Sequence, residues 1–225
     1  MTYTIDDIRR ALDAAPPTIS SSGIISKGTL AGRTSAVDYT IHLGWDLLIA
    51  NLCDRTWGAF NVTLMRHIQK LEAQGVDIAP ILESAQLEDN HWRWLDKTLH
   101  YRGDCYKWFF LIAENHPQAA CLVYHPKASV VGAGDIFYVE YIATAPWNRE
   151  NVFAERVFKG VGPKLLERVI SYAKDDLKLQ SGFSLHSLPK AVQFYEKIGM
   201  RAFPQYDKDE LKFFEWVAPE SQAKG

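Results

Sequence analysis

Apolar positions recur at helical spacing through the first part of the chain and at strand spacing after Cys105. Thr4 precedes IDDIRRALDAA, in which Ile5, Ile8 and Leu12 share a face and Asp6 and Asp7 fall in the first turn. This predicts a short capped helix stopped by Pro16 and Pro17. TISSSGIISKGTLAGRTSA follows, rich in Ser, Thr and Gly, and reads either as a loop or as a pair of weak strands. Val37 to Cys53 is apolar and open between strand and helix, although Asp46 before LLIANLC favours a helix start. Thr63 to Ala73 is helical, with Leu64, Ile68 and Leu71 on one face and Gly75 as a stop. Asp89 is placed to cap a further helix carrying Trp92, Leu95 and Leu99, closed near Gly103.

From Cys105 the period changes. CYKWFFLIAE, AACLVYH and DIFYVEYIATA are three strand-like runs, separated by ENHPQ, which suits an antiparallel hairpin, and by a loop from Pro126 to Gly134. The third run ends at Pro146. Further on, Lys159-Gly160-Val161-Gly162-Pro163 opens a helix whose apolar positions are Leu166, Val169, Ile170, Ala173 and Leu177. A short strand, Ser184 to Ser187, leads to a helix from Pro189 to Ile198, and a last pair of strands closes the chain at Ala202-Phe203 and Leu211 to Val217. The expected class is α+β, a mixed sheet with helices, behind a mostly helical N-terminal extension.

Strand, glycine loop and helix in that order offer backbone N–H groups to a phosphate at a helix N-terminus. Gly160 and Gly162 let the backbone approach a ligand, and Pro163 suits a first helical turn, where its missing N–H is no loss. Glycine also precedes many helices for packing reasons alone. The pattern gains weight from AVQFYEKIGM, residues 191–200, which meets A-x-x-F-Y-x-x-x-G-F except at Met200. Together these stretches resemble the GNAT superfamily of acyl-CoA-dependent N-acyltransferases, over roughly Tyr101 to Trp216. The resemblance implies an N-terminal extension over residues 1–80, an acyltransferase domain over 81–218 and a tail over 219–225.

The resemblance also implies a function and a site: acetyl transfer from acetyl-CoA to an amine acceptor by direct attack. The family's strand before the glycine loop splays from its neighbour and pairs with the donor's pantetheine arm, a role that falls on Ile142, Ala143 and Thr144. The diphosphate falls on the N–H groups of Phe158, Lys159, Gly160, Val161 and Gly162. Tyr195 takes the place of the general acid for the departing thiolate; packing beside Phe194 is the alternative. Glu140 is the candidate general base, a carboxylate in an otherwise apolar strand where burial raises its pKa; facing solvent or joining a salt bridge is the alternative. Tyr138 and His186 are candidate substrate contacts. The chain departs from the family in two places. ENVFAERVFK looks like an insertion between Pro146 and the glycines, which leaves the diphosphate arginine unassigned, and Leu188 stands where many members carry asparagine.

Composition narrows the partners. At 225 residues, 47% hydrophobic and 12% aromatic, the chain can bury a sizeable core. A formal net charge of -2 gives no pull toward nucleic acid or anionic membrane. No apolar run reaches the ~18 residues of a membrane span, so a cytoplasmic location is expected. Cys53, Cys105 and Cys121 lack CxxC spacing, and neither HExxH nor paired Cys/His spacing is present, so no metal is expected. The acceptor is then a small-molecule amine or a protein amino group, and an exposed edge strand leaves room for a homodimer. A non-catalytic acyl-CoA-binding or protein-interaction module on the same fold is the alternative. An N-terminal recognition region for nucleic acid or protein ranks below both.

Overall fold

The computed structural model describes residues 4–14 and 18–218; the Pro16-Pro17 stop and the tail at 219–225 lie outside the described residues. The elements run α1 (Ile5–Ala14), β1 (Ile24–Ala31), β2 (Ala36–Leu43), α2 (Leu47–Ala73), α3 (Ala79–Ser84), α4 (Trp94–His100), β3 (Tyr106–Ala113), β4 (His116–Ala128), β5 (Asp135–Thr144), α5 (Val161–Asp175), β6 (Gly182–Ser187), α6 (Val192–Lys197), β7 (Arg201–Ala202) and β8 (Lys212–Val217). The strands form one eight-stranded sheet in the order β1-β2-β3-β4-β5-β6-β8-β7. Every neighbouring pair is antiparallel except β5 and β6, which run parallel. The mixed sheet with helices is therefore as expected.

The serine- and glycine-rich stretch forms β1, and the apolar run from Val37 to Cys53 divides between β2 and the start of α2. Because β2 pairs with β3, residues before and after 80 share a single sheet. Helix α2 is longer than the pattern suggests. Asp46 caps it by accepting from the Ile49 N–H at 2.9 Å, and the buried stripe Ile49, Cys53, Trp57, Leu64 and Ile68 runs on through Gly58 without a break. Tertiary burial along one face overrides a single unfavourable glycine.

Helices cover both faces. On one, α5 buries Val161, Leu165, Leu166, Val169 and Ala173 against Phe109, Leu111, Cys121 and Val139 of the sheet. On the other, α2 and α4 bury Cys53, Trp57 and Trp94 against Trp108, Phe110 and Leu122. The indole N–H groups of Trp57 and Trp108 donate to the carbonyls of Pro117 (3.0 Å) and Tyr101 (3.1 Å), which satisfies both polar edges in an otherwise apolar layer.

Asp89 does not cap α4. That role belongs to Asp54 on α2, whose carboxylate accepts from the N–H groups of Trp94 (2.6 Å) and Leu95 (3.2 Å). Burial lifts the Asp54 pKa from 3.8 to about 6, against the lowering effect of those two amides. The folded protein thus holds this proton more tightly than the unfolded chain does. The resulting stabilisation is full below the unfolded pKa and is lost as pH rises through about 6. Asp54→Asn cannot ionise and keeps an acceptor oxygen. It should gain on the wild type by about 2–3 kcal/mol between pH 4 and 7, at ~1.36 kcal/mol per pKa unit. Urea unfolding at several pH values measures this, and parallel stability curves would contradict it.

Candidate active site

The β5–β6 ladder runs only from Phe137 opposite Phe183 to Val139 opposite Leu185, although β5 continues to Thr144. The cause is local. Toward β4, Val139 faces Val123 and Tyr141 faces Leu122, so Glu140 is the extra residue of a β-bulge. A bulge bends its strand and sharpens the twist. Past Glu140 the two strands part, and a cleft of about 460 Å³ opens on the α5 side between Val139, Ile142 and Thr144 on one flank and Leu185 and Tyr195 on the other.

The N-terminus of α5 forms one end of this cleft. Gly160 has φ +74°, in the left-handed region that glycine adopts without strain. Lys164 is the first residue of the helix to bond back, to the Gly160 carbonyl at 3.2 Å. Among the described residues the N–H groups of Gly160, Val161 and Gly162 meet no acceptor. A Cβ on Gly162 would lie 3.3 Å from the Thr144 methyl, so the helix start sits tight against β5. These amides and the dipole of a fifteen-residue helix favour an anion there.

Phe158 and Lys159, expected beside them, lie outside the cleft lining. Phe158 is buried in the core, its N–H donating to Asn148 Oδ1 at 3.0 Å, and the Lys159 N–H donates to the Ala31 carbonyl at 3.3 Å. Both amides are engaged before any ligand arrives. The segment between Pro146 and Gly160 is anchored from behind: Phe153 packs edge-on against Phe60 and His67 of α2, and Trp147 packs against Phe60. Buried Gln118 accepts from Trp147 Nε1 (2.7 Å) and Asn148 Nδ2 (3.0 Å), locking the start of the segment to β4. Leu188 lines the cleft as an apolar side chain.

Two arginines line the cleft, Arg149 and Arg156. Arg149 is already satisfied: its Nη1 meets Asp89 at 2.6 Å, its Nη2 pairs with the same carboxylate, and it donates to the carbonyls of Thr144 (2.7 Å) and Gln86 (2.9 Å). Among the described residues Arg156 pairs only with the highly exposed Glu150. Across the cleft, Lys190 binds the same α3–α4 segment, its N–H to Glu88 at 3.1 Å and its ammonium to the Ala85 carbonyl at 2.7 Å. Residues 82–89 therefore tie the ends of the two parted strands together. Nothing in the sequence pattern marks this strap, because Asp89 looks like an ordinary helix cap.

Tyr195, on α6, is 7% exposed and reaches the cleft, its ring packed against Phe194 and Phe214. Its hydroxyl has no protein partner among the described residues, and burial is the chief cause raising its pKa. Glu140 lies on the opposite face, toward Tyr101, Tyr106 and Tyr138. It is half-buried, forms no hydrogen bond or ion pair among the described residues, and is raised in pKa by burial. Glu140 is not among the residues that line the cleft Tyr195 reaches. Tyr138 and His186 do meet. His186 Nε2 faces the Tyr206 carbonyl at 2.8 Å and must carry the proton, so Nδ1 accepts from the Tyr138 hydroxyl at 2.6 Å. Burial chiefly lowers the His186 pKa, which keeps this tautomer neutral.

No family model matches the sequence, and no curated protein sequence matches it. Solved structures do. A Desulfovibrio desulfuricans protein described as a GNAT-family acetyltransferase is 15% identical over 80% of this chain and 98% of that one, with a TM-score of 0.48. The PaiA N-acetyltransferase of Thermoplasma acidophilum, solved with coenzyme A, is 12% identical over 79% and 98%, with a TM-score of 0.45. An acyl-CoA N-acyltransferase from Pseudomonas aeruginosa is 14% identical over 80% and 99%, at 0.44. Each residue's place in the cleft rests on the contacts described above.

Proposed function

We propose that the protein is an N-acetyltransferase that moves an acetyl group from acetyl-CoA to an amine by direct attack. One observation supports this most: a single cleft joins an unpaired strand edge at Ile142–Thr144, the unpaired amides of Gly160, Val161 and Gly162, and the Tyr195 hydroxyl. The strand edge would hold an amide-bearing arm, the α5 amides with Arg156 a diphosphate, and the bound thioester supplies an activated carbonyl carbon. Glu140 accepts the proton that leaves the amine, through a water molecule, as the nitrogen bonds to that carbon. Tyr195 gives its proton to the sulfur as the C–S bond breaks. Thr144 contributes less than expected, since its carbonyl already accepts from Arg149.

The test is release of CoA thiol from acetyl-CoA in the presence of an amine panel, followed against pH. Because Glu140 works only when ionised and burial raises its pKa, kcat/KM should fall on the acid side through a value above the ordinary glutamate range. Glu140→Gln should lower the rate by ~10²-fold and remove that limb. An unchanged acid limb in the variant would take the base role from Glu140.

A further inference from the structure

The turn between β1 and β2 belongs to the part of the chain before residue 80, yet it reaches the segment that leads into α5. Its tip is seated on Phe158. A Cβ on Gly32 would lie 3.5 Å from Phe158 Cε1 and 2.7 Å from the Ser35 carbonyl oxygen, so a larger residue would force a shift. The Gly32 N–H donates to that same carbonyl at 3.0 Å and closes the turn. Leu30 and Phe158 are both buried in the core layer under α5, with Val37 packed against it. Arg33 therefore extends from a fixed base.

Every residue from 155 to 159 has a backbone group held. The Val157 N–H donates to the Trp147 carbonyl at 3.0 Å, and the Phe158 N–H to Asn148 Oδ1 at 3.0 Å. The other three are held from the turn. The Lys159 N–H donates to the Ala31 carbonyl at 3.3 Å, Arg33 Nε donates to the Arg156 carbonyl at 3.3 Å, and Arg33 Nη2 donates to the Glu155 carbonyl. Those last two carbonyls belong to the peptide planes on either side of the Arg156 Cα. Peptide units are planar, so holding both fixes φ and ψ of Arg156 and with them the direction of its side chain. A guanidinium does this with one rigid fork; an ammonium is a point donor on a flexible stem.

The side chain so directed lines the cleft together with Gly160, Val161 and Gly162, whose amides meet no acceptor among the described residues. Its ion pair with Glu150 lies at the surface, with the two side chains 38% and 82% exposed. Such a pair contributes little and yields readily to a more highly charged anion. We infer that Arg33 is a positioning residue for the donor's diphosphate: through the backbone of residues 155 and 156 it holds Arg156 ready beside the α5 amides. The region before residue 80 thereby takes part in donor binding without touching the donor. This rests on the acetyltransferase reading above, in which the diphosphate occupies this end of the cleft.

The experiment measures Kd for acetyl-CoA by calorimetry and for acetyl-pantetheine, which lacks the diphosphate, by NMR titration, beside a thermal melt of each variant. Arg33→Ala should weaken acetyl-CoA binding by ~10-fold, the loss of about one charge-assisted hydrogen bond. Arg33→Lys keeps the charge without the fork and should recover little of that factor. Acetyl-pantetheine binding and the melting temperature should stay near those of the wild type, since Arg33 is exposed. Arg156→Ala should lose a similar factor, and adding Arg33→Ala to it should cost less than ~2-fold more, because the two act as one unit. Equal losses for both ligands would make Arg33 a support of the whole cleft. Full affinity in Arg33→Lys, or losses that multiply in the double variant, would put its charge directly on the phosphates. Each of these results, or unchanged acetyl-CoA affinity in Arg33→Ala, overturns the inference and leaves the transferase reading standing. The double-variant comparison uses acetyl-CoA alone, so it decides the case in which acetyl-pantetheine binds too weakly to measure. Absence of acetyl-CoA binding in a folded wild-type sample sinks both.

Discussion

Gly162→Asp is expected to weaken acetyl-CoA binding by at least ~100-fold without unfolding the protein. The fold should tolerate the change because a Cβ at this position meets only the Thr144 methyl, at 3.3 Å, and a side-chain tip can yield by a few tenths of an ångström. A carboxylate in the first turn of α5 is also favourable to the helix, by roughly 0.3–1 kcal/mol. Binding should not tolerate it. The new carboxylate sits at the amides of Val161 and Gly162, accepts from them itself, and repels the diphosphate they would otherwise hold. Hydrogen bonds to a charged group contribute about 1.5–3 kcal/mol each, so losing one or two accounts for the expected factor. Gly162→Ala separates the causes, since it adds the Cβ contact without the charge and should cost only a few-fold. Calorimetric titration with acetyl-CoA, beside a thermal melt of each variant, reads both effects. Affinity retained in Gly162→Asp would remove the α5 amides from the site and with them the strongest support for an acyl-CoA donor.

This end of the cleft was legible from the chain because it depends on local features. Two glycines, a proline and a periodic apolar face set the start of α5, and the run of β-branched and aromatic residues set β5. The alternation that placed Glu140 in an apolar strand was visible too. The bulge at Glu140 was not, since a one-residue slip is specified by pairing with β4, a partner close by in sequence whose register the pattern does not give. The same holds for β1 and β2. The serine and glycine of β1 have weak strand preference and β2 reads as either strand or helix; what makes β2 a strand is an edge on β3, contributed by residues more than sixty positions later, and β1 pairs with β2 in turn. Asp54 and Asp89 show the limit most directly. Asp89 is the acid that precedes α4 in the sequence, but the carboxylate that caps the helix is Asp54, from the interior of α2, and Asp89 turns away to Arg149. Local chemistry names the residue types a site needs, and long-range packing decides which copy supplies them.

Tyr195→Phe should lower kcat by about 10²–10³-fold while leaving acetyl-CoA affinity and stability nearly unchanged. Stability should hold because the ring keeps its contacts with Phe194 and Phe214, and removing a hydroxyl that has no partner among the described residues orphans no donor or acceptor there. The rate should fall because the hydroxyl is the group in the cleft that burial keeps protonated: its raised pKa preserves the donor across the working pH range. No high-pH limb below about pH 10 should therefore be traced to Tyr195. A loss of activity alone would not separate proton donation from packing, so the acyl donor is varied as well. An acetyl thioester whose thiol is much more acidic than CoA needs no proton at departure, and it should recover most of the lost rate in Tyr195→Phe but little in Glu140→Gln. If the rescue is absent, Tyr195 shapes the cleft and water protonates the sulfur. If it appears in both variants, carbon–sulfur cleavage limits the rate throughout, and the proton leaving the amine ceases to be the step on which Glu140 acts.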